Sequence, residues 1–189
     1  MRHTLLEVSE RLIRERGYAA FSLAELARTL SVAEDGIAEC FRTREDICME
    51  VVERHIIRIG RELDDIYLEY GDAQSRLIAY ACLRSEDFVC GVPPFSVALS
   101  ASHACLPDAI RSRASDLSIL QIHWIRKVVR DHFDSFDRPS GASSTQIAKL
   151  LFSALEGGAI LECAANDREP SASGYILLMT KLGLREKSA

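Results

Sequence analysis

Ser22-Leu23-Ala24-Glu25-Leu26-Ala27-Arg28-Thr29-Leu30, then Ser31-Val32, then Ala33-Glu34-Asp35-Gly36-Ile37-Ala38-Glu39-Cys40 decide the fold of this chain. A hydroxyl followed three residues later by Glu marks a helix start, because the Ser22 oxygen can accept from the N–H of Glu25. A second helix therefore opens at Ser22 and runs to about Leu30. A short third helix fits 33–40, with Val32, Ile37 and Phe41 as its buried residues. Upstream, Leu5, Val8, Leu12 and Ile13 share one helical stripe over 3–16, closed by Gly17. Three short helices with a tight turn after Leu30 have the size of a helix-turn-helix unit.

The same periodicity continues to the far end. Thr43 caps a fourth helix with Glu45 and Asp46 in its acidic first turn, and Ile47, Val51, Ile56, Ile59, Leu63, Ile66 and Tyr70 carry its stripe to about residue 70. Gly71-Asp72 breaks it. Further helices fit 73–90, 95–103, 107–113, 115–134, 145–165 and 171–184, with Gly91-Val92-Pro93-Pro94 as the firmest break. No run of strict alternation bounded by turn residues appears. The expectation is an all-α fold of about nine helices: a three-helix head at 1–46 and a helical bundle at 47–189.

Composition narrows the function classes. The chain has 189 residues, 48% apolar and 27% charged, enough to bury a core as one domain or one domain carrying a small module. No 18-residue apolar run exists, so no membrane span or membrane partner is expected. Met1-Arg2-His3-Thr4-Leu5-Leu6-Glu7 is charged and periodic, unlike a secretory signal. Cysteines at 40, 48, 82, 90, 105 and 163 form no Cys-x-x-Cys and no zinc-finger spacing. Reduced thiols in a cytoplasmic protein without metal or cofactor are the expectation. No Ser/His/Asp order, phosphate loop or paired-carboxylate motif points to an enzyme.

Glu15-x-Gly17-Tyr18, Ser22-Leu23-x-Glu25-Leu26-Ala27, Val32, Ile37, Phe41, Thr43, Arg44 and Glu45 follow one another in the order and spacing of a known pattern. With them the first 45 residues resemble the TetR family of bacterial transcriptional regulators. Leu99-Ser100-Ala101, Leu106-Pro107-Asp108-Ala109-Ile110-Arg111 and Leu155-Glu156-Gly157-Gly158-Ala159-Ile160-Leu161 look like the ligand-binding half of such proteins. The resemblance implies a homodimer that binds operator DNA, acts as a repressor, and is released by a small-molecule effector. It implies dimerisation through the last two long helices, 145–165 and 171–184.

In a helix-turn-helix the third helix enters the major groove. The positions that the resemblance assigns to DNA are Ser22, Arg28, Ala33, Glu34, Asp35, Gly36, Ala38, Glu39, Arg42, Thr43 and Arg44. Several depart from the family pattern. Hydroxyls, a lysine and a tyrosine that touch phosphates in the family are replaced by Ala33, Glu34, Gly36 and Ala38, and the glycine of the tight turn by Ser31. Residues 1–55 hold eight arginines, no lysine and eleven acids, a net charge of −3. Phosphate neutralisation supplies most non-specific DNA affinity, and this head gains little of it. A carboxylate on the reading helix can instead accept from cytosine N4. The alternative is a TetR-like helical dimer with weak or lost DNA binding that senses a ligand or acts as a co-regulator.

In the second half, Tyr80, Cys82, Phe88, Cys90, Phe95, His103, His123 and Trp124 are candidates to line an effector pocket near the Pro93-Pro94 break, as aromatic and polar side chains line pockets in helical bundles. Gly157-Gly158 in mid-helix costs about 1 kcal/mol per glycine relative to alanine. That cost fits the close approach of another backbone, either of a partner protomer or of an intrachain helix.

Overall fold

The computed structural model describes residues 1–86, 92–134, 141–165 and 172–184. Among the described residues the chain forms nine α-helices and no strand. They are α1 (Arg2–Arg16), α2 (Leu23–Leu30), α3 (Glu34–Ala38), α4 (Arg44–Glu69), α5 (Ala73–Glu86), α6 (Phe95–Ala101), α7 (Asp108–Phe133), α8 (Ser144–Ala165) and α9 (Ala172–Lys181). The chain makes two compact units. One holds Met1–Arg58 with Pro93–Ser118, and the other Ile59–Val92 with Ile119–Ala189.

The first unit is built around α1. Leu5, Leu12 and Ile13 of its stripe are buried, together with Tyr18, Phe21, Leu26, Ile37, Ile47 and Val51. Both ends of α6 are tied to α1 or to the turn that follows it. Arg14 Nε donates to the Pro93 carbonyl (2.9 Å), and the Tyr18 N–H donates to Ser102 Oγ (3.1 Å). Gly17 has φ 77° and ψ 161°, and a Cβ there would stand 3.3 Å from Ser102 Oγ, so both backbone and space call for glycine. Glu10 of α1 reaches α4, accepting from Arg58 Nη2 (3.0 Å) and lying 3.3 Å from Nδ1 of buried His55.

The second unit packs α8 on α9 and α9 on α5. Its core includes Leu63, Leu77, Tyr80, Ile125, Val128, Leu151, Tyr175 and Met179. Ser143 and Gln146 cap α8 reciprocally, at 3.2 Å and 2.9 Å, a start that the sequence reading placed one residue later.

Several expected boundaries shift. The two helices expected at 107–113 and 115–134 are one continuous α7. Ser115 does not break it, because its hydroxyl is satisfied by the Arg111 carbonyl one turn back (3.1 Å). The third helix is shorter than 33–40. Its N-cap Ala33 has no side chain to hold the first turn, and the N–H groups of Cys40 and Phe41 both turn back to Ile37 O (2.9 Å each). Val32, expected in the core, is 38% exposed. Residues 87–90, placed in the helix after Asp72, lie outside the described residues.

The turn between α2 and α3 is held by Ser31 in the left-handed region, φ 56° and ψ 40°, the only non-glycine with positive φ among the described residues. For an L-residue that conformation costs about 1–2 kcal/mol, which glycine avoids at a smaller entropic cost. Ser31→Gly is expected to stabilise the head by up to about 1 kcal/mol. Thermal unfolding followed at 222 nm checks this, and a lowered midpoint would contradict it.

Candidate nucleic-acid interface

Ser22 does what its spacing predicts: its Oγ accepts from the Glu25 N–H (3.2 Å), so the hydroxyl is committed to starting α2. The Glu25 carboxylate is held by Arg16 and by Arg28 Nη2. Across the Ser31 turn, the Val32 N–H returns to the Ala27 carbonyl (3.0 Å). α3 is then anchored by one fully buried side chain, Ile37. Ala33, Glu34, Asp35, Ala38 and Glu39 all stand exposed around it, and Gly36 is half-buried. Gly36 helps line a small cavity of about 180 Å³ with Thr4, Leu5, Leu30 and Ile37, and a Cβ added to it would meet nothing within 4 Å.

The start of α4 fixes the far side of the reading helix. Thr43 Oγ1 accepts from the Asp46 N–H (3.1 Å), and Asp46 Oδ2 accepts from the Thr43 N–H (3.0 Å), a closed capping box. Arg44 is largely structural. Its Nη1 donates to the Phe21 carbonyl (3.2 Å), its Nε to Glu45 (3.2 Å), and its guanidinium lies 4.6 Å from the Tyr18 ring centroid. Tyr18 donates to Glu45 as well (3.0 Å), and burial together with that carboxylate pushes the phenol up to about 12. Burial works to raise the Glu45 carboxyl, but its backbone N–H, Arg44 and Tyr18 outweigh it and hold the acid below the usual range.

The exposed charge of the surface is therefore mixed. Arg28 has a side chain 76% exposed and Arg42 is exposed too. Against them stand Glu34, Asp35 and Glu39, none with an ion pair to a described residue. Sequence reasoning missed Arg2, which is clamped to Glu50, donates to the Cys40 carbonyl (3.0 Å) and lies 4.3 Å from the Phe41 ring centroid. It fastens the exit of α3 to α1 and α4, and its distance in sequence from both partners leaves no local signal.

The candidate effector residues divide between the two units. In the second, Tyr80 and Trp124 touch, with ring centroids 5.6 Å apart. Tyr80 Oη donates to Gln121 Oε1 (3.0 Å), and Trp124 Nε1 donates to the Leu63 carbonyl (2.8 Å), so both polar tips are spent inside the bundle. His123 is exposed on α7, and Cys82 is exposed on α5 beside a groove against α4. In the first unit, Phe95 is buried against His55 (4.8 Å), and His103 is exposed in a 3-10 turn at His103–Cys105. Phe88 and Cys90 lie outside the described residues. Among the described residues no group of three or more His, Cys, Asp or Glu could hold a metal ion.

Comparison with known proteins agrees with this geometry. Residues 5–51 match the family described as bacterial regulatory proteins, tetR family. The HTH-type transcriptional repressor NemR of Escherichia coli (strain K12) is 26% identical over 183 residues, 96% of this chain and 80% of that protein. The crystal structure of reduced E. coli NemR superposes with a TM-score of 0.83 at 21% identity, covering 96% of both chains. A TetR transcriptional regulator from Legionella pneumophila gives 0.84 at 22% identity, over 94% of this chain and 95% of that one. A regulator from Saccharomonospora viridis, solved in complex with choline, gives 0.76 at 19% identity, over 98% of each chain. The structural likenesses carry the fold, and the matched head carries the motif. Together with the capped α2, the left-handed turn and the anchored α3, they make residues 5–51 of this chain similar to the head of the bacterial regulatory proteins of the tetR family.

Proposed function

We propose that the chain is a cytoplasmic homodimeric repressor that holds operator DNA through α2 and α3 and is released by a small molecule. The functional division runs at residue 46, with 1–46 as the reading head and 47–189 as the effector and dimerisation part. The observation that carries this reading is α3 itself: one buried anchor, Ile37, and five exposed neighbours on a helix fixed at both ends. Such a helix has the placement needed to enter a major groove. The contact set is Ser22, Arg28, Ala33, Glu34, Asp35, Gly36, Ala38, Glu39, Arg42, Thr43 and Arg44, with Arg42 exposed and in no ion pair with a described residue, and Arg28 exposed beside its partner Glu25. Of the effector candidates, Cys82 and His123 of the second unit and His103 of the first stand exposed, whereas Tyr80, Trp124 and Phe95 are buried in packing.

Dimerisation has support from α8 and α9. Leu150, Ile160, Leu161 and Leu177 of these two helices are each half exposed or more. A Cβ added to Gly157 would meet nothing within 4 Å among the described residues, so their packing does not account for the missing side chain. A symmetric partner approaching this face accounts for both.

A second reading, a helical dimer that has lost DNA binding, is favoured by one feature, the acidic face of α3. Titration of duplexes separates the two. Wild type and Glu34→Lys are compared on DNA upstream of the chain's own gene and on random duplex. Repression requires wild type to prefer the upstream duplex. Glu34→Lys is expected to tighten binding to random duplex and steepen its salt dependence by about one unit if one phosphate contact forms. If Glu34 reads a cytosine, the same change weakens the upstream duplex by about 1–3 kcal/mol. Wild type binding neither duplex at low salt would establish the second reading.

A further inference from the structure

α4 and α5 enclose an open groove of about 490 Å³ inside the second unit. Its α4 wall is 62, 65, 66, 69 and 70, and its α5 wall 75, 78, 79, 82 and 83. Both follow the helical i, i+3, i+4, i+7, i+8 stripe, the spacing that normally packs helix against helix. Here the two stripes instead bound a space of the size that takes a drug-sized molecule.

The chemistry of the walls selects the occupant. Ile66, Ile78 and Leu83 give an apolar lining. Glu62, Asp65 and Glu69 bring three carboxylates, and among the described residues no Lys, Arg or His lines the groove. Three arginines flank lining residues in sequence: Arg84 pairs with Glu156, Arg61 is exposed and does not line the groove, and Arg76 is held elsewhere. It donates to the Tyr70 and Tyr67 carbonyls (2.7 and 3.0 Å) and sits over the Tyr67 ring. Asp65 and Glu69 make no ion pair with a described residue. Tyr70 adds an aromatic ring, whose face attracts cations. An anion is repelled by this set, a neutral apolar body gains nothing from the carboxylates, and a hydrated metal ion gains nothing from the isoleucines.

We propose that the groove binds a lipophilic organic cation, an apolar body with a fixed positive charge, and that its occupancy is the effector signal. The effector role rests on the repressor reading above; the binding site does not. None of the chain's local patterns announces it, since each stripe alone reads as ordinary core.

Two ions of matched shape and opposite charge test the site on the full-length protein: tetraphenylphosphonium and tetraphenylborate, titrated calorimetrically. The phosphonium is expected to saturate one site per chain, and the borate to give no binding. Asp65→Asn/Glu69→Gln removes two exposed charges without removing volume and should weaken the phosphonium about tenfold. Cys82 lies on the wall and Cys105 is exposed in the other unit. N-ethylmaleimide labelling read by peptide mass should therefore slow at Cys82 and not at Cys105 when the phosphonium is bound. Equal affinity for the two ions, an unchanged double variant, or an unprotected Cys82 overturns the site. Saturating phosphonium should weaken retention of a bound duplex at least tenfold, and unchanged retention overturns the effector role. Absence of duplex binding in every arm overturns the repressor reading and the effector role with it, while the calorimetric arm still decides the site.

Discussion

Trp124→Ala is expected to destabilise the chain by about 3–5 kcal/mol, the range for removing a buried tryptophan. The indole is 8% exposed, its ring lies tilted against Tyr80 with centroids 5.6 Å apart, and its N–H donates to the Leu63 carbonyl at 2.8 Å. Truncation removes the ring contacts, opens a void and leaves that hydrogen bond unmade. At roughly 2–4 °C per kcal/mol for a chain of this size, the unfolding midpoint should fall by on the order of 10 °C. Trp124→Phe keeps most of the packing and should lose only about 1–3 kcal/mol, the part belonging to the hydrogen bond. The pair also separates two roles for the residue. A tryptophan lining an open effector pocket leaves stability nearly unchanged on truncation and abolishes the effector response instead. Circular dichroism melts of both variants check the prediction, and a loss under about 1 kcal/mol for Trp124→Ala would contradict it.

Leu161→Glu is expected to split the proposed homodimer. Leu161 is 64% exposed on α8, and Leu177 is 60% exposed on α9. In a two-fold interface each substitution occurs twice. Two lost leucine contacts at about 1.5–3 kcal/mol each, before any cost of burying carboxylates, total at least about 3 kcal/mol. The dimer dissociation constant should therefore rise at least about a hundredfold. Sedimentation velocity at micromolar concentration reads this as a shift to monomer with an unchanged helical spectrum. An undiminished dimer would move the interface away from α8.

What the sequence reveals here is what is local. Ser22 and Thr43 declare their helices because the partner of each cap is three residues away, and the hydrogen bonds to Glu25 and Asp46 follow. The Ser31 turn is readable for the same reason, since the geometry of a tight turn constrains one residue. The break expected near residue 114 is absent because Ser115 bonds back into its own helix, a choice that composition does not reveal. The reading face of α3 is legible by alignment to a motif, but the clamp of Arg2 on Glu50 and Cys40, across some forty residues, is not. The effector candidates show the same limit. Tyr80 and Trp124 meet, whereas Phe95 packs on His55 in the other unit, because aromatic composition says nothing about which helices become neighbours. The acidic groove stayed hidden because its two stripes, 62–70 and 75–83, each look like core until their pairing is known.

The central claim is that a head lying within a net-acidic stretch, −3 over residues 1–55, still reads a DNA sequence. Selection from a randomised duplex library by the full-length dimer tests it with no operator sequence assumed. The account predicts enrichment of a two-fold symmetric site whose half-sites lie whole helical turns apart, about 10 base pairs or a multiple, with enrichment lost in Ala38→Asp, which adds a further carboxylate to the exposed face of α3. A library that emerges unenriched at low salt, from protein that is folded and dimeric, would contradict it.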